Sequence, residues 1–156
     1  MLQKFAASRR RLLASVMMVL PVFLSRRAMA ATTESPDIEQ PENPGDSSFI
    51  RRAFEMRHQA LENGDQAYGA VVVRDGIIVG QSPSHVVVKR DPTAHAEMEA
   101  IRDAARRLGG RDLSDCILYS SSPACPMCEA AAYWADIKSL VYGEDARDGG
   151  SPRLCG

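Results

Sequence analysis

The sequence predicts an α/β domain, one mixed β-sheet covered by helices. Three observations carry this: a hairpin pattern between Tyr68 and Val79, two later apolar runs separated by an Ala-rich helix, and helical spacing of apolar residues upstream of both. A hairpin pairs antiparallel, whereas strands joined through a helix pair parallel, so the sheet has to be mixed.

The elements follow in order. From Ser48, the residues Phe49, Ala53, Met56, Ala60 and Leu61 recur at helical spacing, opened by a serine and closed by Asn63-Gly64. Tyr68-Gly69-Ala70-Val71-Val72-Val73 and Ile77-Ile78-Val79 read as strands joined by Arg74-Asp75-Gly76. Asp91-Pro92-Thr93 opens a second helix, running to Leu108 and stopped by Gly109-Gly110. Residues 116–119 form a short buried-type strand, residues 126–137 a third helix, and residues 138–143 another strand parallel to the preceding one.

Composition bounds the rest. A chain of 156 residues, 45% hydrophobic and 25% charged, is one ordinary globular domain, which excludes disorder throughout, collagen-like repeats and a multi-span membrane protein. Residues 1–30 hold six basic groups and no acidic one, leaving thirteen basic against twenty acidic groups in residues 31–156, a net of −7. That charge repels phosphates, so no nucleic-acid partner is expected, and Arg102, Arg106 and Arg107 read as the solvated face of the second helix.

The first thirty residues are organised as an export signal. Arg9-Arg10-Arg11 precede an apolar run from Leu12 to Leu24, then Arg26-Arg27 and the small-residue sequence Ala28-Met29-Ala30. The run is shorter than the roughly 20 residues a spanning helix needs, and the order basic, apolar, Ala-x-Ala is that of a cleaved signal, with the cut expected after Ala30. Ser8-Arg9-Arg10-Arg11-Leu12-Leu13 resembles the twin-arginine signal, which implies export of a folded, cofactor-loaded protein to the periplasm or beyond, with no stable membrane insertion after cleavage. An uncleaved amphipathic anchor is the alternative. Residues 31–47 hold prolines, acidic residues and little that is apolar, and are expected to be a disordered linker to a domain spanning 48–156.

Chemistry concentrates at two helix starts. His95-Ala96-Glu97 and Cys125-Pro126-Met127-Cys128 supply one imidazole and two thiols, a set suited to Zn²⁺, with the fourth tetrahedral position left open as in catalytic sites. Backbone N–H groups at the start of the third helix would favour the thiolate forms. Glu97, two residues from His95, can take a proton from an attacking water and pass it on. Cys-x-x-Cys alone reads equally as a redox pair, which keeps a thiol oxidoreductase using Cys125 and Cys128 open. Cys116 reads as a buried small hydrophobe, and Cys155 as free or intermolecularly paired.

Together, His-x-Glu and Pro-x-Cys-Pro-x-x-Cys resemble the zinc-dependent cytidine/deoxycytidylate deaminase superfamily, whose signature is of this form. DPTAHAEMEAIRDAARRLGG from Asp91 and DCILYSSSPACPMCEAAAYWADIKSLVYG from Asp115 look most like bacterial guanine deaminases, and next like tRNA adenosine deaminases. The resemblance implies a three-layer sandwich with helices on both faces of the sheet, one Zn²⁺ per chain on His95, Cys125 and Cys128, Glu97 as proton shuttle, and a homodimer. Its implied activity is hydrolytic deamination of a small heterocyclic base, guanine favoured. Tyr68 and Trp134 match aromatic positions flanking the base, and Asp148 an acidic residue that contacts it.

Three departures stand out. His85 or a neighbour stands where the family has a base-binding Asn, Pro123-Ala124 replaces Glu-Pro before the first cysteine, and only 13 residues follow Gly143, so the C-terminal elements are expected to be shortened. A zinc-binding relative impaired in catalysis is therefore the alternative function.

Overall fold

The computed structural model describes residues 37–154, so the export signal and Cys155 lie outside the described residues. The elements are α1 (Asp46–Glu62), β1 (Gly69–Arg74), β2 (Ile77–Pro83), α2 (Val86–Lys89), α3 (Ala96–Leu108), β3 (Cys116–Ser120), α4 (Pro126–Trp134), β4 (Ser139–Tyr142) and β5 (Arg147–Gly150). They build one sheet in the order β2-β1-β3-β4-β5. Strand β3 runs parallel to β4, and the other three pairings are antiparallel. None of the helices among the described residues is long and apolar enough to cross a membrane.

Side-chain alternation along β1 divides the core into two layers. Val71 and Val73 join Ile78, Tyr119 and Val141 under Phe49, Ile50 and Met56 of α1. Ala70 and Val72 face the other way, joining Leu118 and Leu140 under Ala96, Ala100 and Ala104 of α3 and Ala132 of α4. Helices thus cover both faces, as expected.

Two glycines let the helices come this close. A Cβ on Gly80 would lie 2.6 Å from both Ala100 O and Ala104 N of α3, and one on Gly69 would lie 2.2 Å from Ala53 O of α1. The β1–β2 turn uses Asp75 (φ 51°) and Gly76 (φ 77°), both left-handed, the pairing that matches the twist of a tight hairpin.

The sequence reading needs four corrections. Helix α3 begins at Ala96 rather than Asp91, because the Asp91 carboxylate accepts both the N–H and the hydroxyl of Thr93 at 2.8 Å and closes a separate turn. Helix α4 ends at Trp134, short of Ile137. Strand β5 adds a fifth, edge strand where the Gly-rich tail signals none. The expected linker is not loose over its second part: the Gln40 side-chain amide donates to Ile78 O at 2.9 Å and accepts from Ile78 N at 2.8 Å, while Ile38 packs on the α1 layer. An amide presents one donor and one acceptor side by side, so it completes the edge of β2 as a strand residue would.

Candidate metal centre

Parallel β3 and β4 force α4 to start beyond the C-terminal end of β3, and this is what positions the thiols. Cys125 is the N-cap of α4, Pro126 occupies the first turn, and Cys128 follows one turn later on the same face. His95 is the N-cap of α3, with Glu97 in its first turn. Both helices therefore aim their N-termini at the same end of the sheet.

There His95 Nδ1 lies 3.7 Å from Cys125 Sγ and 3.6 Å from Cys128 Sγ, and the two sulfurs are 3.6 Å apart. A tetrahedral zinc at about 2.3 Å from each sulfur and about 2.0–2.1 Å from a nitrogen sets the S···S edge near 3.8 Å and the S···N edges near 3.6 Å. The triangle matches that size, and these three residues are the metal-binding group found among the described residues.

Glu97 stands beside the triangle. Its Oε2 is 3.6 Å from Cys128 Sγ and its side chain is buried. Burial pushes the Glu97 carboxyl up, against the pull of its own backbone N–H, Cys128 and His95. Burial, then the charge of Glu97, pushes the Cys128 thiol up as well. At Cys128 this runs against the expectation that the N–H groups of the helix start favour the thiolate. Burial is the largest effect at Cys128, and a bound cation would favour its thiolate.

A family profile described as the cytidine and deoxycytidylate deaminase zinc-binding region matches residues 44–144. The chain belongs to this deaminase family. Its zinc-binding character and the geometry of His95, Cys125 and Cys128 agree. A guanine deaminase from Bacillus subtilis is 42% identical over 102 residues, covering 65% of each chain. The crystal structure of guanine deaminase from that organism superposes with a TM-score of 0.62, covering 64% of each chain. A tRNA-specific adenosine deaminase from Aquifex aeolicus is 36% identical over 107 residues, which is 68% of this chain and 71% of that one. The chain thus spans less than two thirds of the length of the guanine deaminase it resembles.

The residues expected to contact the base fall in different parts of the fold. Tyr68, 44% exposed, immediately precedes Gly69, whose O accepts from Ser121 N at 2.9 Å at the metal end of the sheet. His85 donates its backbone N–H to Ala94 O at 3.0 Å, next to His95.

Trp134 is different. It ends α4, nine residues on from Cys125, roughly 13 Å along the axis, and lies in a shallow groove with Arg111, Tyr133 and Pro152. Asp148 also points elsewhere: its carboxylate accepts from Gly150 N at 2.8 Å and Ser139 Oγ at 3.3 Å, at the start of β4, the far end of that strand. Within this chain neither reaches the metal group, because α4 runs its full length between Cys125 and Trp134 and β4 between Tyr142 and Ser139.

Asp65 is the residue sequence reasoning missed. It accepts from Ser84 Oγ at 2.8 Å, from the N–H groups of Val87 and Val88 at 2.9 Å, and from Gln66 N at 2.7 Å, so it ties α2 and the His85 loop to the end of α1. Burial opposes its ionisation, but the N–H groups of Val88, Gln66 and Val87 and the Ser84 hydroxyl hold its pKa down to about 2, from an ordinary 3.8. A depressed carboxylate contributes stability above its unfolded pKa and loses it as pH falls through the folded value. Asp65→Asn is therefore expected to cost about 1–3 kcal/mol at neutral pH. In thermal melts, the gap from wild type should close between about pH 4 and about pH 2. A gap unchanged down to pH 2 would show that the charge is not what holds the loop.

Proposed function

We propose that the protein is a hydrolytic deaminase of a small amino-substituted heterocycle, guanine first among them, exchanging the exocyclic amino group for oxygen and releasing ammonia. The observation that carries this is Glu97, a buried carboxylate in the first turn of α3 with its oxygen 3.6 Å from one of three metal donors. When bound there, zinc supplies Lewis acidity that makes water acidic enough to ionise near neutral pH. Glu97 takes the proton that leaves the attacking water, gives it to a ring nitrogen, and carries a second proton from the new hydroxyl to the amine, which departs as ammonia. One water is consumed and one ammonia formed, so the proton count closes without another reactant.

Guanine is favoured over a tRNA adenosine on two supports. The likeness to the guanine deaminase is 42% against 36% for the tRNA enzyme. The net charge of −7 over residues 31–156 opposes a polyphosphate substrate. The test is ammonia release by zinc-replete protein across guanine, adenine, cytosine, 2-aminopurine and a pterin. Release from guanine is expected, together with weaker release from other aminated rings. Ammonia from none of them, with one zinc per chain, would leave the protein a zinc-binding relative without turnover.

Export belongs to the same proposal, with the enzyme acting as a periplasmic or secreted homodimer. Replacing Arg9, Arg10 and Arg11 together with lysine is expected to hold the chain in the cytoplasm, read by fractionation. Undiminished export of that variant would remove the twin-arginine route.

A further inference from the structure

Strand β2 is an edge of the sheet, and its sequence invites pairing. Residues 77–83, Ile-Ile-Val-Gly-Gln-Ser-Pro, carry no charge and open with three β-branched side chains, of which Ile77 is exposed. An edge of this kind, left open, is a template on which a second copy can add a strand. On one side β2 pairs with β1, and among the described residues no strand lies on its outer side.

Side chains from elsewhere meet that outer side instead. The Gln40 amide takes both backbone groups of Ile78, donating to O at 2.9 Å and accepting from N at 2.8 Å. Further along, the Asp103 carboxylate of α3 accepts the Gln81 N–H at 3.2 Å, and Arg106 and Arg107 hold that carboxylate at 3.1 and 2.9 Å. Pro83 ends the strand and has no N–H to offer. A side chain ends a ladder where a backbone strand would continue it. Residues 37–41 form no strand, and Pro41 follows Gln40 directly, so the segment presents no fresh edge. Its exposed Glu39 and Glu42 put negative charge on this edge in every copy. Ile38, packed on the α1 layer, and Arg52 Nη1, 3.8 Å from Glu39 Oε2, keep the segment in place, while Arg52 Nε donates to Gln81 Oε1 at 2.9 Å.

We propose that residues 38–42 are an edge guard: Gln40, together with Asp103, occupies the outer ladder groups of β2 and keeps a second copy of this chain from adding to the sheet there. The homodimer proposed above then uses another surface. The guard precedes the 44–144 stretch that matches the deaminase profile, so the inference stands apart from the deaminase reading.

The test compares wild type, Gln40→Ala and the double variant Gln40→Ala with Ile77→Lys, each as zinc-loaded full chain, by amide hydrogen exchange and by sedimentation at concentrations up to about 1 mM. In dilute Gln40→Ala the Ile78 amide is expected to exchange about tenfold faster, because its acceptor is gone, with the central amides of β1 and β3 unchanged. In concentrated solution the variant should form larger species than wild type, and Ile78 should be protected again as a neighbouring strand supplies the acceptor. Lysine at position 77 should suppress those species while the dilute exchange stays fast, since a charge on an edge strand opposes pairing. An Ile78 amide unmoved by Gln40→Ala, a sedimentation profile equal to that of wild type, larger species in which Ile78 stays unprotected, or larger species that Ile77→Lys does not reduce would overturn the inference. Faster exchange shared by β1 and β3 would overturn it as well, by making Gln40 a support of the whole fold rather than a guard of one edge.

Discussion

Glu97→Gln is expected to lower deamination by about three orders of magnitude or more while leaving one zinc per chain. General acid–base groups contribute about 10²–10⁴-fold, and in the proposed mechanism one carboxylate serves every proton transfer, which puts the effect at the upper end. The amide is nearly isosteric, so packing around this buried position is kept, but it cannot take up a proton. Metal content and kcat measured on one preparation check this. Near wild-type turnover in the variant would mean that the proton moves by another route, and the role given to Glu97 would be wrong. Loss of zinc together with activity would make the carboxylate a ligand rather than a shuttle.

Cys128→Ala is expected to abolish zinc binding and to lower the melting temperature by more than any conservative change elsewhere in the core. Removing one of three donors leaves Cys125 and His95, too few to hold the ion, and the free energy of metal binding is then lost to the folded state. The comparison that isolates this is Cys116→Ala. Cys116 is as fully buried as Cys128, but it sits in β3 within the apolar layer under α3 and α4. Its removal should cost about 1 kcal/mol of packing and no zinc. Equal melting losses with zinc retained in both would show that Cys128 is a core side chain and nothing more.

The metal donors were legible because ligand chemistry restricts both residue type and spacing. Cys125 and Cys128 one turn apart at a helix start, with His95 at another, fit few alternatives, and the parallel β3–β4 pairing needed to bring them together was itself readable. Other parts depend on contacts that no local pattern reveals. Val86-Val87-Val88 is a β-branched run, yet it forms the short helix α2 because a carboxylate more than twenty residues earlier, Asp65, accepts the N–H groups of Val87 and Val88. Strand β5, with the sequence Arg147-Asp148-Gly149-Gly150, has no strand propensity of its own and exists because β4 offers an open edge.

Resemblance had a limit of the same kind. Placing Trp134 and Asp148 at the base required tertiary distances, and α4 carries Trp134 away from Cys125 while the β4–β5 ladder holds Asp148 at Ser139. The β2–α3 connection that carries His85 begins beside the start of β1 and ends beside His95.

The claim at the centre is a three-donor zinc site with one position open for water beside Glu97. Zinc-edge X-ray absorption on the purified full chain tests it most directly. The expected spectrum has two sulfurs at about 2.3 Å, one nitrogen at about 2.0 Å and one light, exchangeable oxygen neighbour, at one zinc per chain. A chain free of zinc with a reducible Cys125–Cys128 disulfide, or a zinc closed by a fourth protein ligand, would contradict it.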